Sequence, residues 1–481
     1  MENPFGPRSY GKLEKVTDRV WIFRNIVNSA LVVGERGAAV IDTQVNKASA
    51  RRLLGMIREV IGSKPILYSI NTHYHWDHTN GNEVFKGAGA TLVSGARTKR
   101  YMVDRAPRQK AFLASRGFAL GDDPALPEVA FEGTLELDLG GQRLRLVAMG
   151  DAETDDASTV HVPDENVVCA GDTVMTGSFP IFGQPVMNEG LMANRSWLEA
   201  VARIRALGPS AVLPGHGPLA RAAELDLFEK IMEYFLTEVR AAHTKGLSLG
   251  ELLAEVEGNL PKWIRDMAEV WGTPRYAILR IWRGLVDDPE PGWQHRKPSA
   301  IPTADPAQVG TRTQGLDTVE SWASCAREAA EGGDSALAVA VARETARRFP
   351  DDAKAWVSLG RTLIQTSRVA ASVLEKGDFF IEAKRSWERA QKLDPEHGPG
   401  HLLEGEMLVF TSYRNGDDTA PGESKVRQGM ELGLDAVDQG RALFLLGLAA
   451  RTRGDEKTAV QRFNEALAKD PGLFPARLAL A

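Results

Sequence analysis

A dense cluster of metal-ligand residues occupies the segment NTHYHWDH at positions 71–78. It contains His73, His75, Asp77 and His78, and it directly follows an apolar stretch. Histidine offers a neutral imidazole nitrogen and aspartate a hard anionic oxygen, a mixture that suits zinc and similar cations. Two histidines at alternate positions of a turn can converge on one ion, and the adjacent Asp-His pair indicates a second. The segment therefore predicts a two-metal site.

The elements that must position this cluster are predicted from the apolar pattern around it. Three short strands at 20–23, 30–33 and 38–41 precede a helix at 48–61, and an apolar strand at 65–70 leads into the cluster. Strands and helices continue to alternate to about Leu219. Such alternation implies a layered α/β architecture with buried sheets, so the cluster should lie at the end of a buried strand.

The second half of the chain is predicted to be helical. A helical pattern over 222–285 is followed by five prolines between 289 and 306, a composition typical of a linker. Beyond Gly315 the sequence is alanine-rich and repetitive, with small residues, aromatics and a closing proline at the spacing of tetratricopeptide repeats. A generic helical bundle remains the alternative. The repeat positions are Trp356, Leu359, Gly360, Ala383, Trp387, Ala390 and Pro395 in one unit and Leu446, Gly447, Ala459, Phe463, Ala466 and Pro471 in another, with a fainter unit at about 320–350.

Length and composition narrow the classes of protein to consider. With 481 residues the chain is too long for one core, so two to four domains are expected. The net charge of −6 and the absence of a basic stripe predict no nucleic-acid partner, and no apolar run is long enough to predict a membrane segment. The two cysteines do not form a disulfide framework, and the first residues contain no signal peptide, so a cytoplasmic location is expected.

Four motifs in order resemble the metallo-β-lactamase superfamily over about residues 12–220. HYHWDH at 73–78 matches its HxHxDH signature, and Asp42 at the end of AAVID matches the aspartate that braces the metal loop. Gly171-Asp172 matches the strand-end pair whose carboxylate lies between both metals. PGHG at 214–217 contains His216, so four of the nine histidines belong to this site. The resemblance implies an αββα sandwich and a binuclear hydrolase that uses a metal-bridging hydroxide, with Asp77 orienting the nucleophile.

One ligand departs from the common pattern of the superfamily. Members often have A-H-T where this chain reads GDAETDDAS at 150–158, and the register places Glu153 at the histidine position. Asp151 and Asp156 remain alternatives for this ligand. By resemblance, His73, His75 and Glu153 bind the first metal, Asp77, His78 and His216 bind the second, and Asp172 lies between them. A glutamate here lowers the net charge of the site by one relative to histidine, which favours tolerance of Mn²⁺ or Fe²⁺ beside Zn²⁺.

Glutamate at this position resembles the alkyl sulfatase branch of the superfamily. Residues 226–296 are also similar to the helical dimerisation region of alkyl sulfatases. Two features differ from that branch: Asp172 stands where a second glutamate is typical, and no arginine occurs between Asp172 and Arg195 to bind a sulfate group. Phe179, Phe182 and Met187 are interpreted as an apolar pocket for an alkyl or acyl chain, and Tyr74 and Trp76 either line the mouth of the site or pack inside.

The predicted architecture has four parts: a catalytic domain at 1–221, a helical dimerisation-like region at 222–286, a Pro-rich linker at 287–315 and tetratricopeptide-like repeats at 316–481. The predicted function is hydrolysis of alkyl sulfate esters. Alternatives are a carboxylic ester or lactone hydrolase, a mononuclear iron oxygenase, and a non-catalytic adaptor with a vestigial metal site. The expected cofactors are two divalent ions, with Zn²⁺ favoured. The expected partners are a small ester-type substrate, a second copy of the chain and a protein bound by the repeats.

Overall fold

The structure, a computed structural model, describes residues 11–115, 123–182, 195–267, 272–286, 304–367, 373–415 and 418–480. The chain divides into two compact units, residues 9–298 and residues 299–481. The predicted catalytic and dimerisation-like segments both fall in the first unit, and the predicted repeats fall in the second. The predicted linker lies outside the described residues as far as residue 303, and its last part contains the helix Pro306–Arg312.

Two β-sheets form the centre of the first unit. Its strands are β1 Lys12–Lys15, β2 Val20–Arg24, β3 Ser29–Val33, β4 Ala38–Ile41, β5 Ile66–Asn71, β6 Thr91–Gly95, β7 Val129–Phe131, β8 Thr134–Asp138, β9 Arg143–Gly150, β10 Ala157–Val162, β11 Val167–Met175 and β12 Ala211–His216. Strands β1 to β7 form one sheet in sequential order, and the other has the order β12-β11-β10-β9-β8. The pairs β4–β5, β5–β6, β6–β7 and β11–β12 are parallel, and the other pairs are antiparallel.

Helices cover the outer faces of the two sheets. The described helices of the first unit are α1 Lys47–Ile61, α2 Trp76–Thr79, α3 Asn82–Gly87, α4 Ala96–Asp104, α5 Ala106–Ser115, α6 Ser196–Ala206, α7 Ala222–Thr244, α8 Leu249–Gly258, α9 Lys262–Arg265 and α10 Pro274–Val286. Leu53 and Ile57 of α1 pack against Leu31 of β3, while α6 contacts β11 on the other sheet. This arrangement confirms the predicted αββα sandwich.

The core between the sheets follows from the two-residue period of the strands. Alternate residues such as Ile22 and Ile41 face inward and pack with Leu144, Val160 and Leu213 of the second sheet. Their neighbours on the same strands face the helices. The pairs β4–β5 and β11–β12 are parallel, so the carboxyl ends of the two strands in each pair lie side by side. Buried polar side chains near these ends gather at one edge of the sandwich.

The second unit consists of helices arranged in pairs. They are α11 Pro306–Arg312, α12 Val319–Glu331, α13 Ser335–Arg348, α14 Ala353–Ser367, α15 Val373–Leu393, α16 Gly398–Asn415, α17 Ala420–Leu432, α18 Ala436–Thr452, α19 Glu456–Lys469 and α20 Phe474–Leu480. At Gly447 of α18 an added Cβ would lie 2.5 Å from the Phe463 ring of α19, so the glycine allows the two helices to approach closely. The predicted tetratricopeptide-like repeats are confirmed, with one further pair, α16 and α17, that the sequence analysis missed. Among the described helices none has the length and apolar character that crossing a bilayer requires.

Candidate metal centre

The segment that carries His73 and His75 connects the end of β5 to the short helix α2. Asn71, the last residue of β5, is buried, and its side-chain amide donates to the carbonyl of His78 at 3.1 Å. Thr43, just after β4, donates to the same carbonyl through its backbone N–H at 2.8 Å and its hydroxyl at 3.1 Å. These donors satisfy a buried carbonyl inside the turn. The hydrogen bonds therefore fix the backbone from which the histidine side chains extend.

The seven predicted ligands form two adjacent clusters. In each, the candidate ligand atoms lie within 4.8 Å of one another: the first cluster contains His73, His75, Glu153 and Asp172, and the second contains Asp77, His78 and His216. All but Asp77 are buried, and the Asp77 side chain is 14% exposed. The structure thus brings together residues from four separate parts of the chain.

Asp172 connects the two clusters. Its Oδ2 lies 3.8 Å from Nε2 of His73 and 3.4 Å from Nε2 of His216, and its Oδ1 lies 3.4 Å from Nε2 of His78. The neighbouring strand makes room for this carboxylate at Gly215, where an added Cβ would lie 1.9 Å from Oδ1 of Asp172. The glycine of the PGHG motif is therefore required by the carboxylate that lies between the clusters.

Outer partners orient the histidines of the second cluster. The Nδ1 atom of His78 lies 2.8 Å from Oδ2 of Asp42, and the Nδ1 atom of His216 lies 2.7 Å from the carbonyl of Ile26. Asp42 is itself held by the backbone N–H and the hydroxyl of Thr72, both at 2.8 Å. Because each Nδ1 is engaged, each Nε2 is left facing the centre, the arrangement that metal-ligating histidines have in proteins.

Buried polar atoms of the centre fit divalent ions. Among the described residues, Nε2 of His73 and Nε2 of His78 have no hydrogen-bond partner, and neither does Oδ1 of Asp172. Such atoms are rare in protein interiors unless water or an ion satisfies them. Burial and the imidazoles of His78 and His75 keep the pKa of His73 well below its usual value, so that ring is neutral and available as a ligand. Nitrogen and carboxylate oxygen together suit zinc and related ions.

The charges of the second cluster balance one another. Burial acts to lower the pKa of His216, but the carboxylates of Asp172 and Asp77 outweigh it and raise that pKa to about 10. Burial likewise acts against the charged form of His78, yet nearby carboxylates led by Asp172 raise its pKa well above the usual value. Burial would raise the pKa of Asp172, but His216 and His78 hold it well below the usual value. Divalent ions would replace these imidazolium charges beside the same carboxylates.

Of the three acidic candidates in the loop at 150–158, only Glu153 lies in a ligand cluster of the described residues. Its Oε2 is 3.4 Å from Nδ1 of His75. Asp151 instead accepts a hydrogen bond from the hydroxyl of Ser196 at 3.4 Å. Asp156 is buried outside both clusters, and burial raises its pKa to about 6. Of the three, Glu153 is thus the residue that lies beside the other candidate ligands.

The interpretation of Phe179 and Phe182 as pocket lining is wrong, and of the two alternatives for Tyr74 the structure shows packing inside. Phe179 and Phe182 are 0% and 2% exposed, and their rings pack against Phe235 and Trp197 in the core. Tyr74 is also fully buried and meets the ring of Tyr101 edge-on. Trp76 remains partly exposed, and Met187 lies outside the described residues.

Two residues that support the centre were missed by the sequence analysis. The side chain of Asn28 donates to the carbonyls of Pro214 at 2.9 Å and Gly217 at 2.8 Å, which holds the PGHG turn. Arg280 of α10 donates to the carbonyl of Glu153 at 2.8 Å. Both contacts join positions more than a hundred residues apart in sequence, so no local pattern could have indicated them.

Comparison with known families agrees with this geometry. Residues 22–216 match the Metallo-beta-lactamase superfamily, and residues 326–378 match a tetratricopeptide repeat family. The first unit contains a metallo-β-lactamase domain. Together with the two ligand clusters, this match supports a metal-dependent hydrolase.

Proteins to which this chain is similar include an alkylsulfatase and metallo-β-lactamases. It is 21% identical to the linear primary-alkylsulfatase of a Pseudomonas species over 328 residues, 59% of each chain. It is 22% identical to the metallo-β-lactamase type 2 of Bacteroides fragilis over 211 residues, 44% of this chain and 76% of that protein. The solved sec-alkylsulfatase Pisa1 from a Pseudomonas species superposes with a TM-score of 0.55 at 15% identity, covering 83% of this chain and 71% of that one, which shows a shared fold.

Proposed function

We propose that this chain is a binuclear metal-dependent hydrolase of small ester-type substrates, with alkyl sulfate esters as the first substrate class. The observation that carries the proposal is the pair of ligand clusters joined by Asp172. One carboxylate shared by two adjacent sets of imidazole and carboxylate ligands is what a two-ion site requires. A mononuclear iron site would use one cluster and leave the candidate ligands of the other without an ion.

From the two clusters we infer a ligand set for each ion. The first ion would be held by His73, His75 and Glu153, the second by Asp77, His78 and His216, and Asp172 would contact both. When bound, a pair of divalent ions supplies a water ionised near neutral pH and polarises the substrate oxygen. Zn²⁺ is the favoured ion for these ligands, with Mn²⁺ or Fe²⁺ as alternatives because three carboxylates contribute.

Asp77 is the residue of this set to which we assign the orientation of the nucleophile. Its side chain is the most exposed of the seven, so it stands where a substrate would enter. Its Oδ2 lies 3.3 Å from Nε2 of His216, which orients the carboxylate. An ionised carboxylate at this point would orient the attacking water by accepting a hydrogen bond from it. Because His78 and His216 keep the pKa of Asp77 low against the effect of burial, the carboxylate is ionised at neutral pH.

A carboxylic ester or lactone is the second candidate substrate. The likeness to alkylsulfatases favours sulfate esters, but a sulfate group calls for a cationic side chain close to the ions. Arg195, the first arginine after Asp172, forms an ion pair with Glu233 at the surface, where its side chain is 56% exposed. This pairing makes Arg195 a poor sulfate ligand and favours a neutral substrate.

Metal content and a substrate panel test the proposal together. Purified chain should carry close to two divalent ions, and a panel of alkyl sulfates, lactones and aryl esters should identify the class that is hydrolysed. Asp172→Asn should lose most of the activity, because the shared carboxylate is neutralised. Asp151→Asn is the matched control, since Asp151 lies in the same edge of the sandwich but outside both clusters.

Each alternative has a distinct outcome in this experiment. A single iron with oxygen-dependent turnover would indicate an oxygenase. A chain without tightly bound metal and without hydrolysis would indicate an adaptor. Either result would overturn the binuclear hydrolase. Release of sulfate from the alkyl sulfates, with no hydrolysis of the lactones and aryl esters, would select the sulfatase. Hydrolysis of a lactone or aryl ester, with no release of sulfate, would select the ester or lactone hydrolase.

We also propose that the chain forms a two-fold dimer, with a protein partner bound by the repeats. The helical segment 222–286, similar to an alkyl sulfatase dimerisation region, supports the dimer. Light scattering at micromolar concentration should give twice the chain mass of 52.4 kDa. A mass of one chain would contradict the dimer.

A further inference from the structure

A buried arginine of the helical segment reaches the turn that carries Glu153. Arg280 lies in α10 and is only 7% exposed. Its Nη1 donates to the carbonyl of Glu153 at 2.8 Å, and its Nη2 donates to the carbonyl of Ala152 at 3.0 Å. One guanidinium thus holds two consecutive carbonyls of the turn that presents the acidic ligand of the first cluster.

This contact suits arginine for a physical reason. The turn at 151–154 belongs to neither a strand nor a helix, so its buried carbonyls need donors from elsewhere in the chain. Guanidinium is planar and rigid, and its two terminal nitrogens match a pair of neighbouring acceptors. Lysine presents a single point donor on a flexible stem and would hold one carbonyl at a time. A buried arginine that makes such contacts also costs desolvation, which argues for a specific role.

The same arginine is connected to the segment that carries the shared carboxylate. Its guanidinium lies 5.4 Å from the ring centroid of Trp197 on α6, within range of a cation–π contact. Trp197 is 1% exposed, and its indole N–H donates to the carbonyl of Thr173 at 2.9 Å. Thr173 directly follows Asp172. Arg280 and Trp197 therefore support the turn that carries Glu153 and the part of β11 that carries Asp172, the two buried carboxylates of the first cluster.

Backbone packing fixes the start of α10 against the sandwich. The N–H of Gly272 donates to the carbonyl of Phe179 at 3.2 Å. An added Cβ at Gly272 would lie 1.9 Å from the carbonyl oxygen of Pro180, so the two segments are in close contact. Arg280 is thus delivered to the turn by a helix whose beginning is anchored to the domain that it supports.

We propose that Arg280 is a positioning residue for the metal centre: it sets where the Glu153 carboxylate stands and so tunes the affinity of the first ion. The dimerisation-like segment then completes the metal site as well as any interface. This inference rests on the proposed two-ion centre. It concerns the backbone of the turn, and it assigns Arg280 no contact with substrate or ion.

The test compares three variants of the full chain. Arg280→Met keeps most of the side-chain volume but removes the donors, and Arg280→Lys keeps the charge with one donor. Arg275→Met is the matched control, because Arg275 lies on the same helix but makes its paired hydrogen bonds, at 2.8 and 2.6 Å, to Glu257. Each variant is titrated with Zn²⁺ against a competing chelator and with Co²⁺ while its visible spectrum is recorded.

The expected result is a selective change at one ion. Loss of an outer partner typically weakens metal binding by about 10–100-fold, so one of two Kd values should rise by that factor in Arg280→Met. The Co²⁺ spectrum of that site should change, Arg280→Lys should fall between Arg280→Met and the unmodified chain, and Arg275→Met should keep both Kd values. If Arg280→Met does not fold, Arg280→Lys decides: an unchanged Kd and spectrum would overturn the inference.

Other outcomes separate this inference from the proposed function. If Arg280→Met has the same Kd values and the same Co²⁺ spectrum as the unmodified chain, the positioning role is overturned while the two-ion centre stands. An equal loss in Arg275→Met would also overturn it, since the effect would then be general to α10. If the unmodified chain binds fewer than two ions, the proposed centre itself is wrong and the inference falls with it.

Discussion

Replacing Asp42 by asparagine should weaken the second ion while leaving the fold intact. Asp42 has a φ of 58°, a conformation that asparagine adopts more readily than most residues, so the backbone should tolerate the change. The side-chain oxygen of asparagine can still accept from the backbone N–H of Thr72, now 2.8 Å from Oδ1. The amide nitrogen would then replace Oδ2, which lies 2.8 Å from Nδ1 of His78.

That replacement changes which nitrogen of His78 carries the proton. Facing the carboxylate of Asp42, Nδ1 donates, and Nε2 is free to bind an ion. Facing an amide NH₂, Nδ1 must accept, and the proton of the neutral ring moves to Nε2. A protonated Nε2 cannot act as a ligand. The hydrogen bond that is lost is charge-assisted and contributes about 1.5–3 kcal/mol. This range corresponds to roughly 10–100-fold in Kd, since about 1.4 kcal/mol is tenfold.

Zn²⁺ titration against a competing chelator measures this effect. We expect one Kd to rise by the factor above, with a smaller change in the other, because Asp42 does not contact His75 or Glu153 in the described contacts. Asp138→Asn is the control: Asp138 is a surface residue paired with Arg36, and its neutralisation should leave both Kd values unchanged. If Asp42→Asn binds both ions as tightly as the unmodified chain, Asp42 does not select the tautomer of His78.

Three further predictions address the unusual ligand, the repeats and the cysteines. Glu153→Ala should lose one ion and most activity, whereas Glu153→His should keep both ions and move the acidic limb of the kcat profile to lower pH, because the site gains one positive charge. Gly447→Ala should lower the melting temperature of the repeat unit, since the new methyl would lie 2.5 Å from the Phe463 ring, a cost of about 1–3 kcal/mol. Cys169 and Cys325 should resist a thiol reagent in the folded chain, because both are buried and burial raises the pKa of each thiol.

Each of these three predictions has a control or a result that would contradict it. Retention of both ions and an unchanged pH profile in Glu153→Ala would show that this residue is not a ligand. Gly310→Ala, in a helix of the same unit with open space around it, should be neutral or stabilising, and an equal loss of stability there would contradict the packing argument. After unfolding in guanidinium both thiols should react, and rapid reaction before unfolding would contradict their burial.

Local patterns in the sequence were sufficient for the catalytic fold and for the position of most candidate ligands. Strand periodicity predicted the layers because alternate residues must face opposite sides of a sheet. The HxHxDH turn is contiguous, so its candidate ligands could be recognised without a structure. His216 ends β12 and Asp172 lies toward the end of the neighbouring strand β11, and the carboxyl ends of a parallel pair meet at one edge. Register alone placed Glu153, and the geometry brings it to the same cluster.

The repeats show where local pattern stops being informative. The units around Gly360 and Gly447 were visible because small residues, aromatics and a closing proline recur at the repeat spacing. The pair α16 and α17 was missed because its close approach uses other positions. There an added Cβ on Gly405 would lie 2.7 Å from Val426, and one on Gly429 would lie 3.0 Å from the backbone of Leu402.

Only the tertiary structure decided which distant residues support the metal centre and which aromatic residues stay in the core. Arg280 donates a hydrogen bond to the carbonyl of Glu153, 127 positions away, and Asn28 donates one to the carbonyl of Pro214, 186 positions away. Both contacts depend on how whole elements pack. Phe182 lies close in sequence to Asp172, yet its ring is buried because α6 and α7 cover that part of the sheet. Sequence neighbours share a backbone, but side chains share a site only after burial of apolar surface has determined the packing.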